Sequence, residues 1–249
     1  MIIDTHSHTN KDYYDDIDSI LDECKNLGIV KLIVPGTTLI DSKNNKKFKH
    51  PMLSYAIGVH PTETQKILNR KDLEDIYSND VIAIGECGLD YYYKPNEEDI
   101  QNKNFRTQIE FAKEKNLPLI VHTREALKDT LDILKDYYKK GDSISGVIHS
   151  ADGDIKILEE IENLGFYLSF NGISTFKNAN HIREIIKETN PEKILIETDS
   201  PFLTPEPKRK EKLNKSTNII YVLENIKNIK NNPNIEDIIY KNSLDLFRL

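Results

Sequence analysis

Eight times along this chain a short apolar, β-branched run is followed by a longer stretch with helical periodicity. The runs are Ile2–Asp4, Lys31–Val34, Ser54–Gly58, Val81–Gly85, Leu119–His122, Gly146–His149, Tyr167–Phe170 and Ile194–Glu197. They are nearly continuous in hydrophobicity and lack the alternation of a half-exposed strand, which suits parallel strands buried on both faces. Helical patterns follow them at Asp15–Leu27, Asp41–Lys47, Asp72–Ser78, Glu97–Asn116, Glu125–Tyr138, Asp154–Asn163, Asn178–Thr189 and Thr217–Lys230, and Ile235–Phe247 adds a ninth. Asp154 is placed to cap its helix, Gly165 follows a helix end, and Pro118 and Pro191 each follow another. Eight βα units in 249 residues, with no GxGxxG turn, predict a (β/α)8 TIM barrel rather than a doubly wound open sheet.

That length suits one domain spanning residues 1–249 and a core that needs no disulfide or structural metal. Only two cysteines occur, Cys24 and Cys87, and with no signal-like start the expectation is a cytoplasmic protein with free thiols. No apolar stretch approaches the 18 residues a membrane span needs, so no membrane role is expected, and no obligate protein partner is evident. The net charge of −7 argues against a protein that coats DNA broadly, but not against a nucleic-acid enzyme with a local positive site.

In a barrel the C-terminal ends of the strands face the active site, and chemistry-bearing residues gather there. His6 and His8 follow the first strand at i and i+2, so both imidazoles can aim at one point. Glu86 is expected to end the fourth strand between Gly85 and Gly88, where small residues permit close approach. His122 and His149 end the fifth and sixth strands, and Asp199 ends the eighth, beside the first in a closed barrel. Four histidines and two carboxylates are too many ligands for one catalytic metal that keeps an open position. They fit two divalent cations sharing Glu86, with Zn, Mn, Fe, Co or Ni suiting imidazole and Mg also eligible.

Other candidates have plainer readings. His60, before Pro61, either binds substrate or organises its turn. Asp90, Glu197 and Asp152 read as turn residues or as supports for the ligands. Cys87 reads as a packed thiol, because adjacent strand residues face opposite ways, and His50 and His181 as solvated.

Six segments carry a resemblance: DTHSH at 4–8, GVHP at 58–61, GECGLDYYY at 85–93, LPLIVHTREA at 117–126, GFYLSFNGISTFKNA at 165–179 and ETDSPFL at 197–203. Together they resemble the TatD family of metal-dependent deoxyribonucleases, within the amidohydrolase-like barrels. The resemblance implies one metal at His6, His8, Glu86 and Asp199, and a second at Glu86, His122 and His149. It also implies Asp199 as the base that activates the attacking water. Arg124, two residues past His122, is the candidate for phosphate oxygens.

Two stretches depart from the family pattern. Ser150-Ala151-Asp152-Gly153 stands where Cys-Phe-Ser-Gly is usual, and Leu213-Asn214-Lys215-Ser216 where Arg-Asn-Glu-Pro is usual. After the last strand and running into the second of these, the segment 208–215 carries five basic residues in eight, either a solvated face or a phosphate-gathering one, with little aromatic interleaving. The reading that follows is a two-metal phosphodiesterase acting on nucleic acid, expected to be single-stranded DNA. The alternative is a carbonyl hydrolase using the same site on an amide, a lactone or an aminoacyl-tRNA ester.

Overall fold

The computed structural model describes residues 1–93, 97–139, 141 and 143–249. Eight strands follow one another around a parallel sheet: β1 (Ile2–Asp4), β2 (Ile29–Val34), β3 (Leu53–Ile57), β4 (Val81–Asp90), β5 (Leu119–Arg124), β6 (Gly146–Ile148), β7 (Tyr167–Phe170) and β8 (Ile194–Ile196). The circle closes just beyond the ends of β8 and β1. There Thr5 N–H donates to the Ile196 carbonyl at 3.1 Å, Asp199 N–H donates to the His6 carbonyl at 2.9 Å, and Ser7 bridges Ser200 in parallel. This is the expected (β/α)8 barrel.

Helices α1 (Ile17–Asn26), α2 (Leu39–Asn45), α3 (Arg70–Glu74), α4 (Glu98–Lys115), α5 (Leu127–Lys139), α6 (Ile155–Asn163), α7 (Asn180–Glu188) and α8 (Ile219–Lys230) lie between and after the strands. Each buries one stripe. In α1, Ile17, Ile20, Leu21 and Cys24 form an i, i+3, i+4, i+7 face, and the Asp16 carboxylate accepts from Ser19 N–H to start the helix. Asp154 caps α6 by accepting from Lys156 N–H, and Gly165 follows that helix at φ +98, where a side chain would be strained. Two helices begin earlier than their sequence pattern suggests. Thr38 caps α2, and a reciprocal Asn69–Asp72 capping box starts α3 at Arg70, before the first strongly apolar residue.

The core has two layers. The larger lies between sheet and helices. The smaller fills the lumen with Ile3, Ile33, Ala56, Ala83, Ile120, Val147 and Leu195, drawn from seven of the eight strands. Leu246 and Phe247 of α9 (Ile235–Phe247) join that cluster and plug one end. The opposite, C-terminal end of the strands is therefore the one left open for polar side chains. No helix among the described residues is long and apolar enough to cross a membrane.

Candidate metal centre at the barrel mouth

The lumen residues set the phase for the site. Continuing the period-two alternation from Ile120 places His122 inward, from Val147 places His149, from Ala56 places His60, and from Leu195 places Glu197 and Asp199. Two strands break that rule. On β4 the pairing with β5 advances three residues, Ile84 to Cys87, against two, Leu119 to Val121. This bulge turns Glu86 into the lumen although Ala83 already points there. Glu86 therefore sits in the middle of β4 rather than at its end, a correction to the expected boundary at Gly85. Glycine makes room for it: a Cβ on Gly58 would lie 2.6 Å from the Gly85 carbonyl carbon. On β1, Thr5 N–H bonds toward β8 but Ser7 N–H bonds to the Ile33 carbonyl of β2, so alternation fails between them and His6 and His8 face inward.

Glu86 is the hub. Its Oε2 lies 3.4 Å from His6 Nε2 and 3.9 Å from His8 Nε2. Both nitrogens are also near Asp199 Oδ1, at 3.6 and 3.5 Å, and 3.3 Å from each other. Its other oxygen, Oε1, faces His122 Nδ1 and His149 Nε2, each at 3.0 Å, and His60 Nε2 at 3.5 Å. The six expected residues converge, and His60 joins them. Ligand atoms bonded to one cation at ~2.0–2.2 Å in a tetrahedron lie about 3.3–3.6 Å apart, so this spacing fits donors that share metals. Three groupings of these donors meet the geometry of a metal site: His6, His149, Asp199; His6, His8, Glu86; and His60, Glu86, His122.

A further set of side chains orients the rings. His122 Nε2 is 2.9 Å from Asp90 Oδ2, which leaves Nδ1 for Glu86. His149 Nδ1 is 3.3 Å from Glu197 Oε1, which also accepts from Ser150 N–H and Asn171 Nδ2. His60 Nδ1 is 2.7 Å from Thr62 Oγ1, so one ring nitrogen organises the turn before Pro61 while the other aims at Glu86. Glu197 thus braces an imidazole, and Asp90 does both jobs, holding the His122 ring through Oδ2 and accepting from Tyr92 N–H in the following turn through Oδ1. Nothing local in the sequence separates those two roles.

Electrostatically the site is built around anions. Burial pushes the Glu86 carboxyl up, but His149, His60 and His6 outweigh it and hold it well below the usual carboxylate range. For Asp199 burial is likewise outweighed, chiefly by His8 and His6, and Asp90 and Glu197 are lowered by His122 and His149 respectively. Burial disfavours protonated His149, yet Glu86 and Glu197 raise it well above the ordinary imidazole range. All four carboxylates are thus held low by the imidazoles that face them, and His8, His122 and His149 are raised in turn. Behind them Asp4, wholly buried and bonded by Thr198, is pushed up by burial to about 7.

Arg124 lies at the rim, its guanidinium 3.6 Å over the Tyr92 ring. Cys87 is buried with its thiol against the Ile120 carbonyl, as a packed residue should be. His181 is exposed beside Asp152, and His50 Nδ1 accepts from Met52 N–H.

In the two stretches that depart from the family pattern, of which the second keeps its Asn as Asn214, the side chains make structural contacts. Ser150 braces Glu197 and Asn171. Asn214 is fully buried, and its amide donates to the Thr198 and Phe202 carbonyls on either side of Asp199. Ser216 sits in a hydroxyl cluster with Ser7 and Thr9, and Lys215 reaches Glu23 at 3.7 Å. None of the basic residues at 208–215 lines the mouth cavity; Lys208 pairs with Glu211, and Arg209 stacks on Phe176.

The comparisons agree with this arrangement. The chain is 36% identical over its whole length to an uncharacterized metal-dependent hydrolase, YabD, of Bacillus subtilis (strain 168), and covers 100% of that protein. It is 30% identical to a protein named deoxyribonuclease Tat-D of Schizosaccharomyces pombe, over 80% of this chain and 68% of that one. Among solved structures, the TatD homologue YJJV of Escherichia coli K12 superposes with a TM-score of 0.89 at 23% identity, covering 100% of this chain and 98% of that one, and so shares the barrel. The family model described as TatD related DNase matches residues 3–248, a span that takes in every inward-facing histidine and carboxylate of the mouth, and the chain belongs to that family of metal-dependent hydrolases.

Proposed function

We propose that this chain hydrolyses phosphodiester bonds in DNA, single strands before duplexes, using two divalent cations. The observation that carries the reading is the division of Glu86: its two oxygens address two separate sets of imidazoles. His6, His8, Glu86 and Asp199 would hold one cation, and Glu86, His122 and His149, with His60 beside them, the other. The imidazole-rich donor set favours Zn, Mn, Fe, Co or Ni over Mg. When bound, the cations supply Lewis acidity and lower the pKa of water.

The chain's own groups do the rest. Asp199, ionised and within reach of His6 and His8, accepts the proton of the attacking water at a carboxylate oxygen. Asp90 and Glu197 hold His122 and His149 so that the ring nitrogens facing Glu86 carry lone pairs. Arg124 at the rim meets a non-bridging phosphate oxygen. The name of the fission-yeast relative favours DNA over other esters. We take residues 1–249 as one hydrolase domain, and the two buried free thiols, Cys24 and Cys87, suit a reducing cytoplasm.

The test is metal-stripped protein reloaded separately with Zn, Mn, Mg, Co, Ni or Fe(II), assayed on single-stranded DNA, duplex DNA, RNA, an aryl ester and a lactone. Two metal equivalents and cleavage of single-stranded DNA are expected. Turnover of ester or lactone with every nucleic acid left intact would overturn the reading in favour of carbonyl chemistry.

A further inference from the structure

Four aromatic side chains are exposed among the described residues: Tyr13 at 42%, Tyr92 at 49%, Tyr93 at 55% and Phe202 at 49%. Apolar residues scattered singly over a surface need no explanation. These are not scattered. Tyr13, Tyr93 and Phe202 line the same mouth cavity as His8, Glu86 and Asp199, and Tyr92 packs edge-on against Tyr93 with ring centres 5.0 Å apart. Tyr13 and Phe202 form a second edge-on pair at 5.8 Å, and each lies just over 6 Å from the His8 ring.

The barrel places the two pairs on opposite arcs. Tyr13 follows β1 and Phe202 follows β8, which adjoin at the closure. Tyr92 and Tyr93 follow β4, half-way round the sheet, with Arg124 ending the neighbouring β5. Arg124 stacks on Tyr92 and donates from Nη1 to Tyr93 Oη at 3.3 Å. The donor cluster lies between the pairs, in a cavity of about 780 Å³. Arg124 is the one Lys or Arg among the described residues that line it.

We propose that the two aromatic pairs are a base clamp: each stacks one of the two nucleobases that flank the scissile phosphodiester of a single strand. The inference rests on the phosphodiesterase reading above and names what recognises its substrate. Every base offers a π face, and stacking on an aromatic side chain tolerates any sequence. A duplex cannot use the clamp, because its bases are already stacked on each other and paired. With the phosphorus over the donors, the flanking bases splay apart toward opposite walls, and each meets one ring face-on and its partner edge-on. Stacking then adds a part of the affinity that salt does not screen.

The experiment uses metal-loaded enzyme and two probes of equal length: a ten-residue thymidine oligonucleotide and the same backbone with tetrahydrofuran abasic residues. Variants are Tyr13→Leu with Phe202→Leu, Tyr92→Leu with Tyr93→Leu, and the ring-preserving Tyr13→Phe and Phe202→Trp. All four side chains are exposed, so folding should persist, and a melting curve of each variant checks it. Each leucine pair should raise KM for the thymidine strand by roughly 5- to 150-fold, the range per stacked base, with kcat near wild type. KM for the abasic strand should be unchanged in the Tyr13→Leu, Phe202→Leu pair; the Tyr92→Leu, Tyr93→Leu pair also unseats Arg124, so it should shift the abasic strand as well, but by much less than the thymidine strand, and the ring-preserving changes should keep the wild-type value. A structural role for the rings would move both probes together. Equal KM for both probes in the wild type, or leucine pairs that shift both alike, overturns the clamp. Wild-type enzyme that cleaves neither probe with any metal overturns the phosphodiesterase reading itself, so the two failures are distinct.

Discussion

If two cations divide Glu86 as proposed, Asp90→Asn should weaken one site and spare the other. Asp90 Oδ1 accepts from Tyr92 N–H at 3.0 Å, and Oδ2 lies 2.9 Å from His122 Nε2. The substitution keeps shape and volume but replaces one acceptor with an –NH₂ donor. If the new Nδ2 faces His122, Nε2 must become the acceptor and the proton moves to Nδ1, the nitrogen 3.0 Å from Glu86 Oε1. That proton occupies the lone pair a cation needs. If the amide rotates instead, Nδ2 meets Tyr92 N–H, donor against donor, and the bond at the start of the β4 loop is lost. Both routes cost about one charge-assisted hydrogen bond in a site where Asp90 is almost fully buried. Loss of such a support typically costs ~10–100-fold in metal affinity, about 1.4–2.8 kcal/mol.

The assay is a competitive titration of metal-free protein with Zn or Mn against a chromogenic chelator, with metal content counted by mass spectrometry. It belongs near pH 8, because Asp90 also helps hold His122 above the ordinary imidazole range and its removal reduces proton competition. Two binding steps are expected, one near wild type and one weaker by that factor. Affinities for both steps within twofold of wild type would refute the tautomer argument. An equal fall in both would show that Glu86 does not divide the site.

Asp199→Asn should keep at least one metal, since His6, His8 and Glu86 remain, yet lose ~10²–10⁴-fold in turnover because an amide cannot take the water's proton; near-full turnover with metal content confirmed would remove Asp199 as base. In the metal-free protein burial disfavours the charged imidazoles, but facing carboxylates leave His8 and His122 raised and His149 well raised above 6.5. Protonated, they stabilise the metal-free fold below that value, an effect lost as pH climbs through the raised values, while metal must displace the same protons. Apparent metal affinity should therefore rise with pH from about 6.5 upward, and a flat profile between pH 6 and 9 would contradict this. Asn214→Ala strands the buried Thr198 carbonyl and the half-buried Phe202 carbonyl, so it should cost about 1–3 kcal/mol in stability and lower Tm by several degrees in calorimetry, and an unchanged Tm would deny it a bracing role.

What the sequence reveals here is what local periodicity encodes. Runs such as VIAIG and KLIV announce buried parallel strands because both faces are covered, and the strand ends then locate the mouth. From there His122, His149 and Asp199 follow by counting in twos from residues that must fill the lumen. The count fails where backbone hydrogen bonding departs from the ideal ladder. Glu86 faces inward because β4 advances three residues against two of β5, and His6 because Thr5 and Ser7 donate to different neighbours. Their residue types mark them only in company, since a His-x-His or a glutamate beside glycines alone suits a plain loop, and it is the histidines at neighbouring strand ends that single them out.

The harder features depend on which loops meet in space. Asp90 supports His122 from the next strand, and Glu197 supports His149 from two strands away. Neither contact has a sequence spacing to betray it. The same holds at the rim. The basic run at 208–215 draws the eye as a contiguous signal, yet Lys208 pairs with Glu211, Lys215 reaches Glu23 and Arg209 covers Phe176, and no basic residue of the run lines the cavity. The rings that do surround the donors come singly or in twos from loops at positions 13, 92–93 and 202, and only barrel closure assembles them. Contiguity in sequence is therefore a poor guide to the surface a substrate meets on a barrel. Each βα loop contributes one arc of the mouth, so a recognition surface is spread over as many segments as there are strands, and it becomes visible only once the strand order is known.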